Sequence, residues 1–392
     1  MTDVYLCAMR RTPIGRYGGS LSTFRPDDLA AHVIDGLLDL HPVPVNEVIF
    51  GCVNQAGEDN RNVARMAVLL SRLGPSVPAQ TVNRLCASGL DAVIAAMRVI
   101  RDGAAEVIIA GGVESMTRAP YVMAKPGVAF SRNPQMVDST IGWRFAHDQI
   151  VARYGIESMP ETAENVAAQL GISRADQDAF ACRSHARYDA AWHAADILPL
   201  RVQGKAGEQI IALDEHPRIT SPEALALLPT PFRAGGSVTA GNASGINDGA
   251  AAVLLASRAA VAKFGLTALA RLGHAASGGV EPRVMGLGPI EALRRLTERT
   301  GLRAPDFDVI ELNEAFAAQV LACSRAWGLA DDAPHLNAYG GAISMGHPLG
   351  ASGARLAGTA ARRLHESGGK TALVSLCVGV GQGVALTLHA VE

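Results

Sequence analysis

The sequence predicts an α/β protein, a layered sandwich of helices and buried strands assembled from two related halves with a loop-rich insertion between them. Apolar runs such as Glu47-Val48-Ile49-Phe50-Gly51, Glu106-Val107-Ile108-Ile109-Ala110 and Thr371-Ala372-Leu373-Val374-Ser375-Leu376 read as buried strands. They alternate with alanine-rich amphipathic stretches, best seen from Gly89 to Arg101 and from Gly353 to Leu364, which read as helices. Strands of that kind between such helices belong in a sheet covered on both faces.

The second observation is an internal match. Ser88-Gly89 opens a helix that leads, 23 residues after Ser88, to Gly111-Gly112-Val113-Glu114, and Ser352-Gly353 opens one that leads, 23 residues after Ser352, to Ser375-Leu376-Cys377. Both stretches read as loop, helix, buried strand and turn at equal spacing, so two packed halves would bring their equivalent loops to a shared centre. Third, the texture changes from about Tyr121 to Ile246. Prolines crowd this stretch, including Pro126, Pro134, Pro160, Pro199, Pro217, Pro222, Pro229 and Pro231, and it has helices of its own, such as Pro160 to Leu170 with Glu161 and Glu164 near its positive end. Loop-rich insertions on a rigid scaffold commonly carry substrate contacts. The domains are therefore expected at 1–120 plus 247–270, at 121–246, and at 271–392.

Composition narrows the function. A chain of 392 residues, 48% hydrophobic and 18% charged, is long enough for two or three well-buried domains. Its net charge near −2 gives no footprint for nucleic acid or an anionic membrane. No signal-like N-terminus and no run of about 18 apolar residues is present, so a soluble, cytoplasmic protein is expected. Six cysteines at 7, 52, 86, 182, 323 and 377 lie far apart without metal-ligand spacing, which indicates reduced thiols and neither a metal site nor a disulfide framework.

Three glycine-flanked segments carry the chemistry: Asn83-Arg84-Leu85-Cys86-Ala87-Ser88-Gly89, Gly346-His347-Pro348-Leu349-Gly350, and Cys377-Val378-Gly379-Val380-Gly381-Gln382-Gly383. An arbitrary cysteine is usually core filler, but Cys86 immediately precedes a helix whose dipole is expected to favour its thiolate. His347 sits in a rigid Gly-His-Pro turn that opens the second repeat's helix as Cys86 opens the first, where a base could meet a nucleophile. His147, His185, His193 and His216 read instead as surface or satisfied core histidines. Cys377 is either a strand-end core thiol or a second reactive thiol, followed by glycines whose N–H groups can form an oxyanion hole. Asn313 and Glu314 follow the strand-like Val309-Ile310-Glu311-Leu312 and either orient a water or the base, or cap the next helix.

These residues resemble the thiolase family along nearly the whole chain and in order, from Arg11-Thr12-Pro13-Ile14-Gly15 through Asn83-Arg84-Leu85-Cys86, Gly111-Gly112-Val113-Glu114-Ser115-Met116, Thr239-Ala240-Gly241-Asn242-Ala243-Ser244 and Asn313-Glu314-Ala315-Phe316 to the two C-terminal motifs. The resemblance implies a five-layered αβαβα sandwich of two five-stranded halves with an inserted loop domain, and a homotetramer built as a dimer of dimers. It implies that Cys86 attacks a 3-keto carbon and holds the acyl group, that His347 activates Cys86, that Asn313 holds a water beside His347, and that Cys377 moves the proton of the acetyl-CoA carbanion. Backbone N–H groups of Cys86 and Gly379 would form a second oxyanion hole. Coenzyme A is implied as a substrate, with no tightly bound cofactor, at Met159, Arg218, Phe232, Ala243, Ser244, Ala315 and Phe316. On the residues alone, Arg218 is as readily a solvated surface arginine.

Two positions depart from the family pattern. Ala87 replaces the usual glycine after the nucleophile, and Ser158-Met159 stands where His-Met is common. Segments such as Gly57-Glu58-Asp59-Asn60-Arg61, Ile141-Gly142-Trp143-Arg144-Phe145 and Ser158-Met159-Pro160-Glu161 resemble thiolases of aromatic-compound degradation, which cleave 3-oxoadipyl-CoA to succinyl-CoA and acetyl-CoA. A dicarboxylic acyl chain needs a cation for its far carboxylate, expected from Arg132 or Arg144, with Arg118 and Lys125 as alternates. Acetoacetyl-CoA or longer 3-oxoacyl-CoAs are the other substrates considered. A cysteine hydrolase has no use for a second thiol, a decarboxylating condensing enzyme would need a different site, and a catalytically silent relative would lack part of the set. Gly369-Lys370-Thr371 is no phosphate loop, since Leu364 stands where the first glycine is required, and Gly379, Gly381 and Gly383 have the wrong spacing for a dinucleotide fingerprint.

Overall fold

The computed structural model describes residues 2–204 and 207–391. Ten of the described strands form one sheet, in which two halves repeat the same pairing. In the N-terminal half, Glu47–Gly51 runs parallel to Val107–Ser115, which pairs antiparallel with Asn247–Ser257, which pairs antiparallel with Val4–Arg11. In the C-terminal half, Val309–Leu312 runs parallel to Thr371–Val378, which pairs antiparallel with Gln382–His389, which pairs antiparallel with Ala270–Gly279. The two quartets join where Tyr5 meets Arg271 and Leu6 meets Ala270.

The expected fifth strand differs between the halves. Ala79–Val82 supplies it beside Glu47–Gly51, whereas its counterpart beside Val309–Leu312 is a single parallel bridge from Ile310 to Leu336. The Asn337 N–H completes that bridge at the Ile310 carbonyl, and its side-chain amide bonds the Leu312 N–H and carbonyl.

Layering follows from the burial of the strands. Every residue of Val107–Ser115 and Asn247–Ser257 is buried, so both faces of this sheet must be covered by helices. One face packs on Pro26–Leu40 and Val63–Leu70 through Leu29, Val33, Leu37, Ala64 and Val68. The other face meets Ser88–Asp102 and Leu349–Ser367, whose apolar residues fill the space between the two half-sheets. Beyond the second half-sheet lie Gly288–Thr300 and Ala317–Ala326, packed through Leu293, Leu296, Val320 and Leu321. The order is helix, sheet, helix, sheet, helix.

The two central helices approach to backbone contact at their first turns. A Cβ on Gly89 would lie 2.5 Å from the Gly350 carbonyl oxygen and 2.9 Å from the Ala354 nitrogen, and a Cβ on Gly353 would strike the Leu90 backbone. Glycine is therefore required sterically at both positions, where its φ is ordinary.

The insertion folds as short helices and two small hairpins. Its helix spans Met159–Leu170, one residue longer than expected, and begins with a capping box in which Glu161 accepts from the Ser158 N–H at 2.8 Å. Glu164 serves differently from the dipole role expected of it: its buried carboxylate accepts from the N–H groups of Ser237 and Val238 and ties down that loop. A buried ion pair from Arg11 to Asp214, at 2.6 and 2.8 Å, fastens the insertion to the N-terminal strand. His147 is exposed and caps a helix, and His193 bonds the Tyr339 carbonyl at 2.9 Å. His185 and His216 depart from the expectation of satisfied core residues, since neither ring nitrogen of either finds a protein partner; burial holds both near pKa about 4 and hence neutral.

Replacing Gly89 with alanine should destabilise the protein by about 2–3 kcal/mol, because the added methyl meets backbone that cannot rotate away. Thermal denaturation of G89A against the unmodified protein measures this.

Candidate active site

The nucleophile loop is shaped by local hydrogen bonds. Asn83 Oδ1 accepts from the Leu85 N–H at 2.9 Å, while the Ser88 hydroxyl accepts from the Arg84 N–H at 2.9 Å and donates to the Leu85 carbonyl at 2.6 Å. Together they hold Leu85 at a φ of +45°, a strained conformation for leucine, and this turns Cys86 toward the cavity. Ala87 takes ordinary values, φ −95° and ψ 6°, and is fully buried as the N-cap of Ser88–Asp102. The substitution is thus accommodated at this position because the left-handed residue of the turn is Leu85.

Helix placement does not lower the Cys86 pKa as expected. Burial pushes the thiol up to about 11, only partly opposed by backbone N–H groups of Gly379 and of Cys86 itself directed at the sulfur. Removal of the thiol from water outweighs a helix terminus that supplies about half a charge. The resting group is the neutral thiol.

His347 is held on three sides. Its N–H donates to Asn247 Oδ1 at 2.9 Å, its Nδ1 lies 2.6 Å from the Ser352 hydroxyl, and its Nε2 lies 3.3 Å from Asn313 Nδ2. Ser352 spends its one hydroxyl proton on the Pro348 carbonyl at 2.9 Å, which assigns the ring proton to Nδ1 and leaves the Nε2 lone pair facing the Asn313 amide. Burial, and then the charge of Arg355, hold the imidazole pKa down to about 3. It is a neutral base.

Asn313 is fully buried at the end of Val309–Leu312, and its Oδ1 has no protein partner. The helix-cap alternative fails for it and for Glu314, because Phe316 occupies the N-cap of Ala317–Ala326. Glu314 instead braces three segments, accepting from the Ser184 hydroxyl, the Asn337 amide and the Ile343 N–H.

Cys377, at the end of Thr371–Val378, is fully buried, and burial, with the nearby Cys86 thiol as a lesser cause, raises its pKa well above the usual thiol range. It packs in a small cluster with Ala243, Ala315, Phe316 and, at the margin, Met159. Four of the residues expected to contact coenzyme A thus surround the second thiol. Ser244 adjoins them through its N–H bond to the Ala315 carbonyl, and Arg218 is tied to the same loop through the Ala240 carbonyl at 3.0 Å. Phe232 is 39% exposed, away from this cluster.

A cavity of about 350 Å³ opens on Cys86 and takes its walls from both halves and the insertion, including Leu85, Glu114, Met159, Leu349, Gly379 and residues 139–144. Arg144 lines it, with its guanidinium donating to the carbonyls of Ser139 and Asn54, each at 2.9 Å. Arg132 does not: it is exposed on a coil outside the cavity lining. Arg118 pairs with Glu58 beside a separate surface cleft, and Lys125 is exposed.

Glu114, Ser352 and Asn247 were not singled out from the sequence. Glu114 accepts from the N–H groups of Val53, Asn54 and Gly350, and burial raises its pKa to about 7. Gly111-Gly112-Val113-Glu114, expected as a turn, instead continues the strand Val107–Ser115, and the partners of Glu114 are 60 and more positions away in sequence. Among the described residues, Cys52, Asp59 and Glu114 form one group with ligand atoms within 4.8 Å of one another. Those atoms are already engaged with each other and with backbone N–H groups.

The comparisons with known proteins agree with this geometry. Residues 4–259 match the family described as thiolase, N-terminal domain, and residues 266–390 match thiolase, C-terminal domain. The chain is 56% identical over 400 residues to a beta-ketoadipyl-CoA thiolase of Pseudomonas putida, and 55% identical over 401 residues to the 3-oxoadipyl-CoA/3-oxo-5,6-dehydrosuberyl-CoA thiolase of Escherichia coli K12, each match covering 100% of both chains. The crystal structure of the Bacillus anthracis acetyl-CoA acetyltransferase superposes with a TM-score of 0.91 at 36% identity, and that of human mitochondrial 3-ketoacyl-CoA thiolase with 0.90 at 37%, each covering 100% of this chain and 99% of its own. With two thiols, a neutral histidine and a buried asparagine gathered from two repeated halves, the chain belongs to the thiolase family of acyltransferases.

Proposed function

We propose that this enzyme cleaves 3-oxoadipyl-CoA with coenzyme A to give succinyl-CoA and acetyl-CoA. The observation that carries the mechanism is the pairing of a cavity-facing thiol at Cys86 with a second, fully buried thiol at Cys377, in a site whose base is neutral.

His347 Nε2 takes the Cys86 proton, and the sulfur attacks the 3-keto carbon while N–H groups of Cys86 and Gly379 receive the developing oxyanion. The bond between the α and β carbons then breaks, leaving the acyl group on Cys86 and the electron pair on an acetyl-CoA enolate. The enolate oxygen is met by the proton now on Nε2 and by a water held at Asn313, whose unpartnered Oδ1 suits that task. Cys377 delivers its thiol proton to the enolate carbon and recovers one from the incoming coenzyme A, whose sulfur takes the succinyl group as the Cys86 sulfur leaves and regains the proton held on His347 Nε2. Coenzyme A enters as substrate, with its pantetheine arm along Met159, Ala243, Ala315 and Phe316, Ser244 beside it, and Arg218 and Phe232 toward its nucleotide end.

Arg144 is the cation we assign to the far carboxylate. It lines the cavity, and its two carbonyl acceptors bring no opposing formal charge. The names of the Pseudomonas putida and Escherichia coli relatives point to the same acyl chain. The same reading carries a homotetramer located in the cytoplasm, with the free edge of Ala79–Val82 available for pairing between subunits.

Arg144→Ala should lower kcat/KM for 3-oxoadipyl-CoA by about 10- to 100-fold while leaving acetoacetyl-CoA within about threefold; equal losses on both would remove the carboxylate role. A thiolysis panel of unmodified enzyme that favours acetoacetyl-CoA would replace the substrate and keep the chemistry. Cys377→Ala should reduce thiolysis by about 10²–10⁴-fold while Cys86 remains open to alkylation. Because the Cys86 pKa is raised, its alkylation rate should climb with pH toward about 11, without a plateau near neutrality; stopped-flow alkylation against pH, with C86S as the blank, reads this directly.

A further inference from the structure

The cavity wall that carries Arg144 has no backbone ladder of its own. Residues 139–147 form a coil between the short strand Met136–Asp138 and the helix Asp148–Tyr154, so other bonds must fix its place. Asn54, from the N-terminal half, grips it at two points. Its Nδ2 donates to the Ser139 carbonyl at 2.7 Å and reaches the Ser139 hydroxyl at 3.2 Å, while its own carbonyl accepts from Arg144 Nη2 at 2.9 Å. Arg144 Nη1 meets the same Ser139 carbonyl at 2.9 Å, which closes a ring of Asn54, Ser139 and Arg144.

Asn54 itself is held from both sides. It is 8% exposed and lines the cavity; its Oδ1 accepts from the Ala56 N–H at 3.0 Å, and its N–H donates to Glu114 Oε1 at 3.0 Å. Since Oδ1 faces an N–H and Nδ2 faces a carbonyl, neither a flipped amide nor a carboxylate could make the same bonds. Glu114 also accepts from the Gly350 N–H, so the ring is tied to the first turn of the helix that follows His347. The place of the guanidinium relative to the reacting end is thereby set through Asn54.

We infer that Asn54 is a positioning residue that makes the enzyme selective for a dicarboxylic acyl chain: its amide locks Ser139, and the carbonyls of the two residues together hold the Arg144 guanidinium at the cavity wall. With one N–H of each Nη spent on a carbonyl, the Nε–H and the second N–H of each Nη stay open, among the described residues, for a carboxylate. An arginine already fixed before substrate arrives loses little side-chain freedom on binding, which a free surface arginine would have to give up. The inference rests on the carboxylate role proposed above for Arg144.

The test takes the ratio of kcat/KM for 3-oxoadipyl-CoA to that for acetoacetyl-CoA in Asn54→Ser, Arg144→Ala and the double variant. A serine hydroxyl can still accept from the Ala56 N–H but is too short for the Ser139 carbonyl. Asn54→Ser should lower the ratio by about 5- to 20-fold through a higher KM for 3-oxoadipyl-CoA, and by less than about twofold in the Arg144→Ala background, where the group it positions is gone. Asn54→Asp keeps the shape and replaces the donor with a carboxylate that competes for Arg144, so it should lower the ratio by about 10- to 100-fold; it carries the same comparison if the serine variant does not fold. A ratio that falls with Arg144→Ala but not with either Asn54 variant, whose losses are then equal on both substrates, makes Asn54 structural only and overturns the inference. An undiminished effect of Asn54→Ser in the Arg144→Ala background overturns it as well, because the side chain then acts on the substrate without Arg144. A ratio unmoved by Arg144→Ala alone removes the carboxylate role beneath the inference, a failure read from that single variant.

Discussion

Everything at this site depends on how closely the two central helices meet. Ser88–Asp102 and Leu349–Ser367 approach through backbone at Gly89, Gly350 and Gly353, a separation that only residues without a Cβ allow. Because each helix begins directly after the loop of Cys86 or His347, that contact brings the two loops together. The outer layers then serve mainly to keep the contact in place. Glu114 adds a stitch across it, joining the Val53–Asn54 turn to the start of the His347 helix at Gly350.

Burial is the second governing fact, and it sets the resting charges. A helix start alone would favour a thiolate at Cys86, yet desolvation is larger and keeps the thiol protonated. The same desolvation keeps His347 neutral. The site therefore rests with two thiols and an imidazole all uncharged, and charge develops only with substrate in place, where the N–H groups of Cys86 and Gly379 are already oriented. Preorganised donors need no rearrangement as the charge grows.

The insertion supplies part of the cavity wall. Its residues 139–144 close one wall of the cavity, and Arg144 is anchored there by two carbonyls instead of reaching out into solvent as Arg132 does. Arg132 lies between Ser131 and Asn133, and Arg144 between Trp143 and Phe145; which of the two lines the cavity is set by the folded path of the insertion. The exchange of glycine for Ala87 is similarly explained by the turn as a whole, which places its positive φ at Leu85.

The amino-acid sequence by itself determined the repeated halves and the glycine-flanked reactive segments, because strand and helix periodicity and such segments are local properties of the chain, and the resemblance of those segments to thiolases pointed to the family. It also carried Met159, Ala243, Ala315 and Phe316, which the fold collects around Cys377. What only the tertiary structure decided is long-range. The reduction of one fifth strand to the Ile310–Leu336 bridge, the bracing by Glu114 and Glu314, the place of Arg144 in the cavity wall, and the protonation states of Cys86 and His347 all arise from groups distant in sequence. Desolvation is a property of the surrounding volume, and a linear pattern of residues does not encode which other segments will fill it.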